Sequence, residues 1–238
     1  MERIKSALAL RGNIRILALE SFFSQISAKI LGVIWQPFVL SLGASMAALG
    51  GLESLKSLIS ALIQPILGWA ADRVGRKPFI VFGSFLTITA FFLCAIANTW
   101  HFLIPAILFL GASALGGPAR QSLLAESITP EERATAYSVV SFPAALTGFF
   151  APLAGGFLAT HYGFRSVFYL SILTIAISSA LIVLFLKETF EKSNSGIGRE
   201  DIKGALKGVF KPESGLEWFY AAMALNAFSV GMLVSIFL

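Results

Sequence analysis

Lys29, Glu53 and Lys56 are ionisable side chains set inside long apolar runs. In the hydrocarbon of a bilayer an unsupported charge costs at least about 2.5–3.5 kcal/mol, so each needs a reason to be there. The chemistry open to such residues is ion pairing, solute recognition and proton movement. At about 100° per residue Gln25, Lys29, Gly32 and Gln36 fall on one narrow helical face. Glu53, Ser57, Ser60 and Gln64 follow the spacing i, i+4, i+7, i+11, with Lys56 on the shoulder. Two polar stripes on consecutive antiparallel helices predict a shared wet cavity. Counted at about 1.5 Å per residue from the turn at 41–45, Lys29, Glu53 and Lys56 reach similar depth, and a Lys29–Glu53 pair is expected. One carboxylate against two ammonium groups leaves a surplus positive charge, which favours an anionic solute or is relieved by loss of a lysine proton. The same residues also fit a structural pair joining the first two helices, with Lys56 snorkelling outward.

Glu20 falls about a turn inside the first run and is read as within reach of water, with proton carriage as its other role. Arg120 shares a face with Ser113 and Gly117 near the end of the fourth run, where solute contact and headgroup contact are both open. His101 and His161 lie at run ends and read as surface residues. The single cysteine, Cys94, lies in an apolar run and has no partner in the chain for a disulfide; it reads as packing filler. No Cys/His spacing suggests a metal site, and no Gly-rich loop with Lys and Ser or Thr suggests ATP. No cofactor and no active site for bond chemistry is expected, which argues against an enzyme or an ATP-driven pump.

The elements that must position these residues are apolar helices. The chain is 56% hydrophobic and 13% charged over 238 residues, with a mean hydropathy of +0.80. A bilayer is the natural solvent for such a composition. Runs near the roughly 20 residues needed to cross it lie at about 16–40, 46–71, 79–97, 102–124, 135–160, 166–186 and 218–238. They predict an all-α bundle over 1–186, a polar linker over 187–216, and the start of a seventh helix over 217–238. Within the linker Ile202, Leu206 and Val209 fall roughly on one face opposite Lys203 and Lys207, which fits either a short surface helix or a disordered connector. Lys and Arg crowd the loops of one side, and Arg165 alone occupies the other. The positive-inside rule therefore places the N-terminus in the cytoplasm of a multi-pass cell-membrane protein. Orientation accounts for the net charge of +5, so nucleic acid is not an expected partner. The first fifteen residues lack the apolar core and cleavage site of a signal peptide.

Residues 68–78, from Gly68 through Asp72, Arg73, Gly75, Arg76 and Lys77 to Pro78, pack charges and glycines into one short turn between apolar runs. This turn resembles the signature G-x-x-x-D-R-x-G-R-K/R between the second and third helices of the major facilitator superfamily of secondary transporters. Glu126 and Arg133 resemble the acidic residue and arginine that flank that family's four-to-five loop. The resemblance implies that Asp72, Arg73, Arg76, Glu126 and Arg133 form a cytoplasmic charge cluster, a gate that locks the outward-facing state; headgroup anchoring is the plainer role. Residues 147–156 are similar to the family's antiporter-associated G-x-x-x-G-P-x-x-G-G at Gly148, Pro152, Gly155 and Gly156, with Thr147 and Ala151 in place of glycines. Packing alone also explains that pattern. Drug antiporters of the family tend to carry an arginine deep in helix four, and none is read there.

A faint internal echo points the same way: Gly68 to Gly75 and Gly156 to Gly163 share one separation, each a few residues after a proline, Pro65 and Pro152. The resemblance implies a six-helix half with helices one and four at the cavity, expected to be a piece of a carrier of about twelve helices that works as a monomer. The implied function is alternating-access transport of a small organic solute, coupled to protons and leaning to efflux. Uptake of an organic anion, or a non-transporting membrane binding or assembly protein of the same fold, are the alternatives.

Overall fold

The computed structural model describes residues 12–126, 128, 131 and 133–186, with isolated positions 218, 221, 222, 225 and 226. Of residues 65–69, 72–74 and 126 it describes the backbone alone. The chain divides into two units, 1–193 and 194–238. The five described positions of the second unit are helical and exposed. The rest of the expected linker and seventh helix, with Ile202, Leu206 and Val209, lies outside the described residues.

The first unit is all-helical: α1 Gly12–Ser41, α2 Met46–Val74, α3 Lys77–Ile96, α4 Leu103–Ser113, α5 Gly116–Glu126, α6 Arg133–Tyr162 and α7 Phe164–Phe185. A one-turn 3₁₀ helix, Trp100–Phe102, leads into α4. Six spans are long and apolar enough to cross a membrane, and α4 with α5 makes the fourth. Ser45 starts α2 by accepting a hydrogen bond from the Ala48 amide at 3.2 Å. Gly75 ends it at φ 112°, a backbone state that side chains disfavour, and Pro78 opens α3 where its missing N–H is no loss.

The fourth run, expected to be continuous, is broken at Ala114 and Leu115. The cause is Pro118, whose ring crowds the carbonyl four residues back, that of Ala114. The chain answers with tighter bonds to the third residue back: Ala114 N–H to Gly111 at 3.4 Å, Leu115 N–H to Ala112 at 3.3 Å and Gly117 N–H to Ala114 at 3.2 Å.

α1 runs between α6 and α7, α3 packs on α7 and on α4–α5, and α2 leans on α4. α1 and α2 touch only slightly, so the two polar stripes are not brought together by helix packing. Between lipid-solvated helices close approach depends on small residues. A Cβ on Gly155 would stand 2.8 Å from Cγ2 of Ile30, and one on Gly111 2.8 Å from Cβ of Ile59. Two buried apolar clusters result. The larger joins Ile30, Phe38, Phe91, Leu103 and Phe168, with Phe38 and Phe168 edge to face at 4.7 Å. The smaller joins Ile14, Leu17, Ile80, Leu123 and Ile182 towards the end that carries the 72–78 turn. Phe82, Phe85, Phe149 and Leu184 are more than half exposed, as side chains facing acyl chains are.

The two adjacent glycines of α6 separate close packing from open space. Ile30 is fully buried and β-branched, so it cannot swing away from a methyl group on Gly155. Gly155→Ala is expected to destabilise by about 1–3 kcal/mol, whereas Gly156→Ala, with nothing within 4 Å, stays near wild type. Thermal unfolding in detergent reads the difference; equal melting temperatures would contradict the α1–α6 contact.

Candidate functional site

Between the two apolar clusters the bundle holds a polar layer. Glu20 on α1 is fully buried, with a relative exposure of 0%. Its Oε1 accepts hydrogen bonds from Arg120 Nη2 on α5 at 2.7 Å and from Ser178 Oγ on α7 at 3.0 Å. Its Oε2, equally buried, accepts no hydrogen bond among the described residues, and Arg120 Nε donates none. One carboxylate thus ties three helices together while keeping an oxygen free. Arg120 stands in the second turn of α5, so its direction follows from the break at Pro118. A cation near a helix N-terminus is disfavoured by the helix dipole, and the carboxylate offsets this.

This corrects two expectations. Glu20 carries no exposed surface, and Arg120 turns to Glu20 rather than to the headgroups. Phase, rather than depth, was the signal. Glu20, Ser27 and Ile34 recur at seven-residue steps on the buried face of α1, as do Ser171 and Ser178 on α7. Ser178 itself went unnoticed in the sequence.

Beside the pair lies a cleft of about 280 Å³ between α1, α3 and the broken fourth span, lined by Gln25, Ser27, Thr87, Ser113, Gly117 and Arg120. Ser27 is 1% exposed and its Oγ makes no hydrogen bond among the described residues. Polar groups left open beside a cavity of this size are sites for water or a small solute group.

The remaining residues singled out in the sequence are dispersed. Lys29 is exposed on the opposite face of α1, nine residues and about 180° from Glu20. Its Cε lies 3.9 Å from where Gly148 on α6 would carry a Cβ. The expected Lys29–Glu53 pair does not form, because α1 and α2 barely meet. Glu53 instead pairs with Lys56 one turn along α2, at 2.5 Å, with both side chains about a third or more exposed. Ser60 Oγ donates to the Gly111 carbonyl at 3.0 Å and so serves the α2–α4 contact. Ser57 and Gln64 are exposed, and Gln36 is half-buried.

At the turn, Arg76 is buried and Lys77 Nζ donates to the carbonyls of Val183 at 3.0 Å and Leu186 at 2.7 Å, closing the C-terminal end of α7. Arg133 is exposed. The side chains of Asp72, Arg73 and Glu126, and the surroundings of Gly68, lie outside the described residues. In α6 Thr147, Ala151 and Gly155 are buried and Pro152 is half-buried. His101 stacks on Trp100 and His161 on Phe157. Among the described residues no group of His, Cys, Asp and Glu could hold a metal ion. What this arrangement offers is charge compensation and a proton acceptor.

Removing one partner of a buried ion pair strands the other. Arg120→Leu is therefore expected to destabilise by about 3–5 kcal/mol, and the double variant with Glu20→Leu to recover most of that loss. Unfolding midpoints of the two single variants and the double give the coupling; strictly additive losses would show that the pair carries no interaction.

A profile of the Major Facilitator Superfamily matches residues 17–238. The chain is similar to the multidrug resistance protein MdtG of Salmonella arizonae, at 34% identity over 145 residues, 60% of this chain and 35% of that one. It is also similar to the multi-drug resistance efflux pump PmrA of Streptococcus pneumoniae, at 30% identity over 186 residues, 76% of this chain and 46% of that one. It spans less than half the length of these curated relatives. Among solved structures, the human organic anion transporter MFSD10 (TETRAN) superposes with a TM-score of 0.69 at 17% identity, over 82% of this chain and 53% of that one. The peptide transporter POT in complex with sulfate gives 0.67 at 21% identity, over 99% and 50%. At such identities these structures speak for the fold alone.

Proposed function

The chain belongs to the Major Facilitator Superfamily, a family of membrane carriers and not of enzymes, and from that premise we propose that it exports small organic solutes by proton-coupled alternating access. The observation that carries the coupling is the buried Glu20 with one oxygen bound to Arg120 and Ser178 and the other free. A proton on Oε2 cancels the charge that holds Arg120, so protonation loosens the tie between α1, α5 and α7. Loss of the proton restores it. A pair of this kind is expensive to bury and of little use as mere glue, which favours a switching role. The cleft beside Arg120 gives water a place next to the pair. Efflux, rather than uptake, is supported by the multidrug resistance and efflux for which MdtG and PmrA are named.

In this reading residues 1–186 are a carrier bundle, 187–216 a cytoplasmic linker and 217–238 the beginning of a further helix. The unit lies in the cell membrane with its N-terminus in the cytoplasm, and works as a monomer. The 68–78 turn is the cytoplasmic gate, with Asp72, Arg73, Arg76, Glu126 and Arg133 in a network of weak pairs that can be made and broken without a deep trap.

Two measurements test this. In proteoliposomes holding the protein as encoded, Glu20→Gln should lose about tenfold or more of pH-gradient-driven transport of the anionic dye 8-anilinonaphthalene-1-sulfonate while keeping exchange down the dye's own gradient. A variant driven by the gradient as well as wild type would end the coupling proposal. Asp72→Asn should weaken the gate and enrich the inward-open state, read as higher labelling of a cysteine introduced at the cytoplasmic mouth. Unchanged labelling and unchanged transport would remove Asp72 from the gate.

A further inference from the structure

We propose that Lys29 is the recognition group for an anionic solute, so that the carrier's substrate class is the amphipathic organic anion. This rests on the carrier reading above but not on Glu20. Among the described residues the ion pairs inside the spans do not take up Lys29. Glu20 is held by Arg120, and Glu53 by Lys56. Lys29 makes no ion pair or hydrogen bond among the described residues. It is the eighteenth residue of the thirty in α1, about 18 Å from Ser41 and about 25 Å from Gly12 along the axis. A lysine side chain about 6 Å long does not cross either distance, so snorkelling to the headgroups does not account for it.

Its direction separates it from the buried carboxylate as well. Lys29 is about 180° from Glu20, and Gln25, one turn before it on the same side of α1, borders the cleft. The neighbouring positions on that side are Gln25 and Gln36, about one and two turns away, each with an amide that can donate or accept. The facing position on α6 is Gly148, exposed and without a side chain, so the ammonium stem lies along bare backbone. Gly32, one turn along α1, is likewise exposed, and a methyl group placed on it would meet nothing within 4 Å. The result is an open strip with a single positive charge at membrane mid-depth, amide groups around it and space beside it. A carboxylate, sulfonate or phosphate ester supplies the missing counter-charge there, and an apolar body suits the apolar side chains of the span around it. A cationic solute at the same place would add a second like charge, which the site offers nothing to offset.

Two probes of one shape and opposite charge decide it: naphthalene-2-sulfonate and 2-naphthyltrimethylammonium. Binding is measured by calorimetry and by thermal stabilisation, with the protein as encoded in nanodiscs of phosphatidylcholine alone, so that no anionic lipid competes. The sulfonate should bind and the ammonium should not. Lys29→Gln should weaken sulfonate binding about thirtyfold or more, as loss of one member of a desolvated charge pair does. Lys29→Arg should retain it, and Lys29→Glu should turn the preference to the cation. Binding is read at one pH and without a gradient, so failure of the coupling proposal remains separate from failure of this one. Because Lys29 is exposed and unpaired among the described residues, the ligand-free melting temperature of Lys29→Gln should match wild type, and its collapse would show a structural ammonium instead. Sulfonate binding undiminished in Lys29→Gln, equal or better binding of the cation, or no binding of either probe to wild type overturns the proposal.

Discussion

A carboxylate buried inside a helix bundle has to be answered by donors, and the arrangement of this molecule follows from how Glu20 is answered. Arg120 and Ser178 converge on one of its oxygens from two other helices. That requirement fixes the mutual register of α1, α5 and α7 more narrowly than apolar packing does, since Leu and Ile side chains tolerate small slips and a 2.7 Å contact between opposite charges does not. The two apolar clusters lie on either side of this layer and close it off. Apolar residues of equal volume would hold the helices at least as well. The polar layer therefore contributes definition of register more than net stability.

Backbone proximity supplies the rest of the framework. In lipid there is little hydrophobic gain from pressing one apolar helix against another, so contact depends on shape. Gly155 against Ile30 and Gly111 against Ile59 bring α6 to α1 and α4 to α2 closer than any side chain would allow. Ser60, bonded to the Gly111 carbonyl, shows how a residue that looks like a cavity lining in the sequence can instead be taken up by such a contact. Pro118 has the opposite effect: it interrupts a span beside the cleft, where tighter turns take over the backbone hydrogen bonds.

The spans themselves were legible because a bilayer imposes a length and a composition that few other environments demand. Six runs of apolar residues stand out on that ground, and their ends agree with the helices to within a few residues. Partnerships were less legible. Lys29 and Glu53 match in depth, but depth says nothing about which helices adjoin, and α1 lies between α6 and α7 rather than against α2. Glu20 was misjudged for a related reason. Its distance from the helix end suggested water, whereas its rotational phase, shared with Ser27 and Ile34, pointed to the interior. The break at Ala114 was signalled by Pro118, yet prolines are common enough in membrane helices that the residue alone does not distinguish a bend from a break; Pro37 and Pro152 lie inside unbroken helices. The charged turn was readable as a motif, and of its side chains Arg76 and Lys77 are the ones whose surroundings are described.

Lys77 grips two carbonyls at the last turn of α7 from the first residue of α3. Those helices are far apart in the chain, yet their ends on this side are stapled by one flexible ammonium. A displacement of the last turn of α7 is consequently felt at the root of α3, two residues after Gly75, without passing through the buried pair. The end of one span and the beginning of another thus move as a single joint.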